Sequence, residues 1–276
     1  MIEAKIIEDS LAPSGVRLTT YVLTYPRFIH SELMTHRVFS RNASSSRAIP
    51  FKKQVKMIEE NIACPISYLA NKSGMQGGEE IKDQRAAQNI WEKASKDAIK
   101  AATKLNDMGI HKQYVNRLLE PFSHITVVLS STDYNNFFGL RYHSDAQPEI
   151  HELARQMYML YKSSNAQELG AGAWHLPFVT NQDRAMLEFE DQIKKSVACC
   201  ARVSYKNHDK TNPTSEENNI LYDRLLGSHP IHASPAEHQA MAIGDKGVRS
   251  GNYRGWIQYR KTLNDENITE FTTGGI

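Results

Sequence analysis

Two stretches of the chain repeat apolar residues every three or four positions, and this limits the fold more than any other feature. In residues 88–108 the stripe is Trp91, Ala94, Ala98, Ala101, Ala102 and Leu105, and Gly109 follows where a helix would stop. In residues 148–163 it is Ile150, Leu153, Ala154, Met157 and Tyr161, with Pro148 suited to the first turn. The spacing predicts two amphipathic helices, and each needs an apolar surface to cover. Residues 16–24 (VRLTTYVLT) alternate apolar or β-branched residues with polar ones, the period of a half-buried strand, which ends at Pro26. Residues 125–130 (ITVVLS) read as a short buried strand or an apolar turn. Residues 30–41 place Leu33 and Phe39 at roughly helical spacing, which predicts a helix followed by a tight turn in the polar run 42–46. Residues 171–178 (AGAWHLPF) read as a connector and the Asn-rich stretch 207–219 as an exposed loop.

With 276 residues the chain can bury a large core. A boundary near 170–185 divides it into 1–170, which holds the main motifs, and 171–276, expected to pack into the same core. The balance of 33 basic against 31 acidic residues leaves no global field to attract nucleic acid or a membrane, so any anion site is local. No apolar run approaches the roughly 20 residues of a membrane-spanning helix. Residues 1–10 lack the basic start and apolar stretch of a secretory signal. The chain has three cysteines, two of them adjacent (Cys199 and Cys200), which argues against a disulfide framework. These features point to the cytoplasm, or the host cytoplasm if the protein is viral.

The densest polar cluster is Thr35-His36-Arg37-Val38-Phe39-Ser40-Arg41-Asn42-Ala43-Ser44-Ser45-Ser46-Arg47. Hydroxyls and backbone N–H groups of a Ser-rich turn can wrap phosphate oxygens, and arginine adds a planar, permanently charged fork. A solvated Ser/Arg loop is the alternative. Further on come Arg117-Leu118-Leu119-Glu120-Pro121, Asn136-Phe137-Phe138-Gly139-Leu140-Arg141 and Asp145-Ala146-Gln147-Pro148-Glu149-Ile150. Two more segments follow, Ala201-Arg202-Val203-Ser204-Tyr205 and His232-Ala233-Ser234-Pro235-Ala236-Glu237-His238.

In that register the chain resembles the flavin-dependent thymidylate synthases. Their Arg-His-Arg, a serine and an arginine fall on Thr35-His36-Arg37, Ser45 and Arg47. Segments that lie near the N-terminus of ordinary members come last here, so the chain resembles a divergent, circularly permuted form of the kind found in bacteriophages. The resemblance implies an α+β fold (or mixed α/β) with helices packed on a mixed, mainly antiparallel sheet, and a homotetramer with shared sites. It implies FAD as cofactor, with NADPH and methylenetetrahydrofolate as co-substrates, and methylation of dUMP to dTMP. Carried over by residue, Arg141 activates the pyrimidine, against the alternative of a surface arginine capping a helix. Glu32, Ser44, Ser45, Ser46, Arg47 and Arg117 hold the nucleotide with it, and His36, Arg37, Asn42, Asn136 and His238 contact FAD. A core histidine is the other reading of His238. A metal site built on His229, His232 and His238 is disfavoured, because they lack a helical i, i+4 pair.

Three positions depart from the family: Thr35 replaces a cation, Ala43 a frequent glutamate and Tyr114 another carboxylate. Glu32, Arg41 and Gln258 are the residues available to compensate. The stretch 254–261 (RGWIQYRK) either echoes the context before the first motif or forms an ordinary amphipathic helix. The departures leave a second chemistry open, methylation or hydroxymethylation of dCMP or dUMP. A nucleic-acid-binding module is the non-enzymatic alternative, which the charge balance disfavours.

Overall fold

The computed structural model describes residues 1–207 and 211–267. Strands β1 (Glu3–Leu11) and β2 (Arg17–Pro26) form an antiparallel hairpin whose turn holds Gly15 at φ +75°. The chain continues through α1 (His30–Met34), β3 (Ser40–Ala43), α2 (Phe51–Glu60), α3 (Gln84–Asp107), α4 (Lys112–Val115), β4 (His124–Ser131), α5 (Asn135–Arg141) and α6 (Pro148–Ser163). After α6 come β5 (Gln167–Glu168) and then, in the second half, β6 (Trp174–His175), α7 (Asn181–Met186), α8 (Phe189–Arg202), α9 (Ser215–Leu226) and β7 (Ala240–Ala242). It closes with β8 (Arg249–Ser250), β9 (Tyr253–Arg254) and β10 (Trp256–Gln258).

The two periodic stretches are helices, α3 and α6, and 125–130 is the core of strand β4. A central sheet runs in the order β3-β4-β2-β1-β5, antiparallel except for the parallel β1 and β5 pair. The architecture is therefore the α+β arrangement that the motifs imply.

The helix predicted over 30–41 stops after Met34. Phe39 is buried against Phe137 and Tyr134, and the residues after it pair with β4 from Ser40↔Ser130 to Ala43↔Val127. Continuing the helix would give up both that burial and the hydrogen bonds to β4, so tertiary pairing overrides the local spacing. The loop predicted over 207–219 includes 208–210, outside the described residues, but from Ser215 it is helix α9. Thr214 and Glu217 close a reciprocal capping box at its start. The predicted connector at 171–178 contains β6. Residues 254–261 form no amphipathic helix. They contain the end of β9, all of β10 and part of a 3₁₀ turn, Tyr259–Thr262.

Period-two alternation gives the sheet two different faces. On one, Tyr21, Leu23, Tyr25, Ile125, Val127 and Leu129 pack with Leu33, Phe137, Phe138, Ile150, Leu153 and Met157 from α1, α5 and α6. On the other, Val128 packs with Phe178, Cys199, Cys200 and Val203, and Leu18 with Ala240, Ala242, Tyr253 and Trp256. The second half thus covers what the first leaves bare. Gly255 marks how closely it docks: at φ +70°, a Cβ there would lie 2.8 Å from both Ser14 Oγ and Val16 Cγ2. The neighbouring Trp256, fully buried, donates its indole N–H to Val16 O at 3.0 Å.

Candidate functional site

Arg141 ends α5, and its side chain turns toward α1. Its Nε donates to His36 Nε2 at 3.1 Å, its Nη1 pairs with Glu32 Oε2 at 3.2 Å, and its Nη2 reaches Thr35 Oγ1 at 3.5 Å. His36 is 6% exposed, stacked on Phe39 and met edge-on by Phe137. Burial, aided by the Arg141 and Arg41 guanidinium groups, lowers its pKa. A neutral imidazole accepting at Nε2 carries its proton on Nδ1, so Arg141 fixes the tautomer of His36. Burial raises the pKa of Glu32, and Arg141 opposes that rise. The result is a guanidinium held on two sides, with Nη2 making only a long contact among the described residues.

Thr35, where the family has a cation, donates its hydroxyl to Glu32 O at 2.7 Å. The Arg41 guanidinium donates to Met34 O at 2.9 Å, one residue away, so a positive charge stands beside the altered position. Glu32 is engaged by Arg141, and Gln258 donates elsewhere, to Ser40 Oγ and Glu237 O. Among the three compensating residues, Arg41 is the one that supplies charge at that place.

The Ser/Arg run leaves the sheet at the end of β3. Ser44 continues the ladder, its N–H donating to Thr126 O and its hydroxyl accepting from Thr126 N–H. Ser46 is buried and donates to Glu120 Oε1 at 2.6 Å, and Asn116 Nδ2 holds the turn through Ser46 O and Ile49 O. Glu120 also draws Arg117 to 3.0 Å and Arg27 to 3.5 Å, so two cations share one carboxylate. Arg117 remains 57% exposed, and Ser45 and Arg47 face solvent. Beside them lies a cavity of about 390 Å³, whose walls include Ser44, Ser45 and Arg47 from the first half and Arg202, His232 and Ser234 from the second. Sequence reasoning did not place Arg27, Arg202 or Ser234 at this site. The only signals for the last two were the late motifs in which they stand, and Arg27 had none.

The remaining residues lie in different settings. Asn42 fastens the halves together, donating to Cys200 O at 2.7 Å and accepting from Ser234 Oγ at 3.1 Å. Arg37 and Asn136 are exposed, and Arg37 has no ion pair among the described residues. His238 is wholly buried, its Nδ1 2.8 Å from Ser130 Oγ and its Nε2 without a partner among the described residues. The Glu32, Thr35, His36 and Arg141 group and the Ser44 to Arg47 loop are thus separate networks on either side of β3, with His238 buried behind the sheet.

A family model, Thy1, the thymidylate synthase complementing proteins, matches residues 15–164, more than half of the chain. The chain belongs to that family. The flavin-dependent thymidylate synthase of Pyrococcus abyssi (strain GE5 / Orsay) is 30% identical over 128 residues, 46% of this chain and 46% of that protein. The chain therefore matches about half the length of this relative. Among solved structures, the UMP/dUMP methylase PolB from Streptomyces cacaoi bound with 5-Br UMP is similar at a TM-score of 0.48 and 18% identity, covering 58% of this chain and 88% of that one. The same methylase bound with 5-Br dUMP is similar at 0.49 and 17%, covering 58% and 90%. In this Thy1 chain the matched segment carries Glu32, His36, Arg47, Arg117, Asn136 and Arg141, whereas His175, Arg202, Ser234 and His238 lie beyond it. No helix among the described residues is long and apolar enough to cross a membrane.

Proposed function

We propose that this Thy1-family protein transfers a one-carbon unit to C5 of a pyrimidine deoxynucleoside monophosphate, converting dUMP to dTMP with FAD, NADPH and methylenetetrahydrofolate. The setting of Arg141 is the observation that carries this reading. Attack of C5 on the one-carbon donor requires an electron-rich C5, whose negative charge is shared with the N3 and O4 edge of the base, and a preorganised guanidinium at that edge would stabilise the activated base. Neutral His36 and Glu32 anchor Nε and Nη1 of Arg141, leaving Nη2 for the base.

The phosphate falls to the loop, with Ser44, Ser45, Ser46 and Arg47 around it and Arg117 beside it. The Ser46 hydroxyl is already engaged by Glu120, so Ser46 contributes through its backbone. The two bonds from Arg117 to Glu120 both use Nη1, which leaves its Nε and Nη2 for a phosphate. These donors fit a dianion, and Arg202, which also lines the cavity, adds a further cation.

The residues present also fit a flavin dinucleotide. Arg37 offers an exposed guanidinium to the pyrophosphate, Asn136 an exposed amide, and His238 Nε2 a buried hydrogen-bonding position unmet among the described residues. His36, Arg37, Asn136 and His238 would hold the cofactor, with Asn42 acting through the fastening of the halves. When bound, the flavin supplies the reducing equivalents that complete the methyl group.

The reading also carries the assembly and the chain order. Met34 and Val38, which lie two residues either side of His36, and Leu140 and Tyr142, which flank Arg141, are exposed large apolar residues, which suits a homotetramer whose sites are shared between copies. Ser234 and Gln258 reach Asn42 and Ser40 of the first motif, which supports a permuted arrangement in which 171–276 works as one unit with 1–170. Free Cys64, Cys199 and Cys200 accord with a reducing cytoplasm.

The test is incubation of flavin-loaded protein with methylenetetrahydrofolate, NADPH and either dUMP or dCMP, followed by mass spectrometry. A gain of one methyl group on dUMP, abolished in a folded Arg141→Ala variant, is the expected result. Unchanged nucleotides would reject the reading, and a methylated or hydroxymethylated dCMP would assign the second chemistry.

A further inference from the structure

A row of buried side chains crosses the sheet on the face covered by the second half. Ser10 of β1 lies 2.9 Å from His175 Nδ1, and His175 Nε2 lies 2.8 Å from Thr20 Oγ1 of β2. Thr20 Oγ1 is 2.6 Å from Ser130 Oγ of β4, which is 2.8 Å from His238 Nδ1. All five side chains are fully buried. Burial holds both histidines below their ordinary pKa, so each imidazole is neutral with one ring proton.

Proton arithmetic restricts this row strongly. Three hydroxyls and two neutral imidazoles carry five protons, and four contacts join them, each needing one proton. In the first order every group donates toward His238: Ser10 to His175 Nδ1, His175 Nε2–H to Thr20, Thr20 to Ser130, and Ser130 to His238 Nδ1. His238 then carries its proton on Nε2. In the second order every donation reverses, His238 and His175 both carry theirs on Nδ1, and His238 Nε2 becomes an acceptor. Turning one interior member alone puts two protons in one contact and none in another, and turning His238 alone puts two protons in its contact with Ser130, unless a hydroxyl in the row finds a third partner. Thr20 has none among the described residues. Beside Ser130 stands the Tyr253 hydroxyl, which itself donates to Glu237 O at 2.5 Å.

We propose that His175, acting through Thr20 and Ser130, sets which ring nitrogen of His238 carries the proton, and so is a positioning residue for the nitrogen that meets the bound cofactor. The last clause rests on the proposed function; the coupling itself does not. A ligand atom that accepts a hydrogen bond at His238 Nε2 selects the first order, and one that donates selects the second. The choice reverses the proton on His175, three links away. His36, the other imidazole assigned to the cofactor, is instead fixed by the donation from Arg141 and stands outside this coupling.

Nitrogen-15 NMR of the histidine-labelled full chain tests this without cofactor or nucleotide, because ring-nitrogen shifts report the tautomer. His175 and His238 are expected in the same tautomer, both Nε2–H or both Nδ1–H. Opposite tautomers would mean that the row breaks at Ser130 toward Tyr253, and would overturn the proposal. Thr20→Val keeps the side-chain shape and removes the link, so the His238 ring-nitrogen shifts should move while those of the exposed histidines stay. Unmoved His238 shifts in a folded Thr20→Val protein would also overturn it. If that variant does not fold, the comparison in the unaltered protein decides. On titration with FAD, the His175 and His238 shifts should move together, and movement of His238 alone would refute the coupling. Failure to take up FAD would count against the proposed function instead, and the coupling would be judged on the tautomers of the free protein.

Discussion

Acid should weaken this fold through His238 in a way that can be isolated. Burial depresses its pKa from 6.5 to about 3. Below pH 6.5 the unfolded chain takes up a proton at this position and the folded protein does not, so stability falls as pH drops through that window and levels off near the folded pKa. Each unit of difference is worth about 1.4 kcal/mol, so the whole window amounts to about 5 kcal/mol from this imidazole. His175, shifted in the same direction, adds to the loss. Carboxylates titrate over the same range, which makes the raw acid profile uninterpretable for any one group.

Comparison with His238→Gln removes that ambiguity, because everything except this proton is shared. Glutamine retains an amide able to face Ser130 and does not titrate. Urea unfolding at intervals between pH 6 and pH 4 gives the stability of each protein. The two curves should converge as the pH falls, the gap changing by about 2.7 kcal/mol over those two units. Whatever constant cost the substitution brings displaces one curve without changing its slope. Parallel curves would refute the reasoning, since they would show that the folded protein protonates His238 as readily as the unfolded chain does.

Three further outcomes follow from the geometry. Arg141→Lys, which cannot bond His36 and Glu32 from one planar fork, should lower nucleotide turnover by about 100-fold or more with circular dichroism unchanged; turnover within a few-fold of the parent would count against an activating role. Arg47→Ala should weaken binding of the nucleotide monophosphate by about 10- to 100-fold, read by calorimetry, because a charge-assisted bond of about 1.5–3 kcal/mol is lost, while the nucleoside, which lacks the phosphate, is unaffected. Gly255→Ala should destabilise the protein by roughly 1–3 kcal/mol in urea, since the new methyl group meets Val16 and Ser14 at a backbone angle that disfavours it.

What the sequence disclosed follows the range of the forces involved. Helices α3 and α6 were legible because their stripes and end signals are local, and β2 because its alternation stops at a proline. The end of α1 was not, because the pull on Phe39 comes from Phe137 and the hydrogen bonds for Ser40 from Ser130, both about a hundred residues away. Helix α9 carried a local signal that polar composition obscured, the Thr214 and Glu217 pair of its capping box. The same distinction holds in the site. Glu32, His36 and Arg141 each stand in a recognisable motif, but their mutual contact depends on α5 returning beside α1, which no motif states. Glu120 stood in a quoted motif, yet its service to Arg27, Arg117 and Ser46 together is a property of the turn. His175 lies among glycine, alanine and proline in what reads as a connector, and it acquires significance only through burial against Thr20.

The placement of His238 follows from the same packing that closes the second face of the sheet. A strand such as β2 has Tyr21 and Leu23 on one side and Leu18, Thr20 and Val22 on the other, so a single layer of helices over α1, α5 and α6 would leave the second set in water. Segments 175–203 and 238–256 supply the missing layer, and the apolar contacts of Trp256, Ala240, Cys199 and Cys200 hold it in place. Once that layer is down, the hydroxyls of Thr20 and Ser130 are cut off from water and need partners, which His175 and His238 provide. The polar row is therefore a consequence of burying a face that alternates apolar and hydroxylic residues. His238 Nε2, which has no hydrogen-bond partner among the described residues, marks where that satisfaction ends.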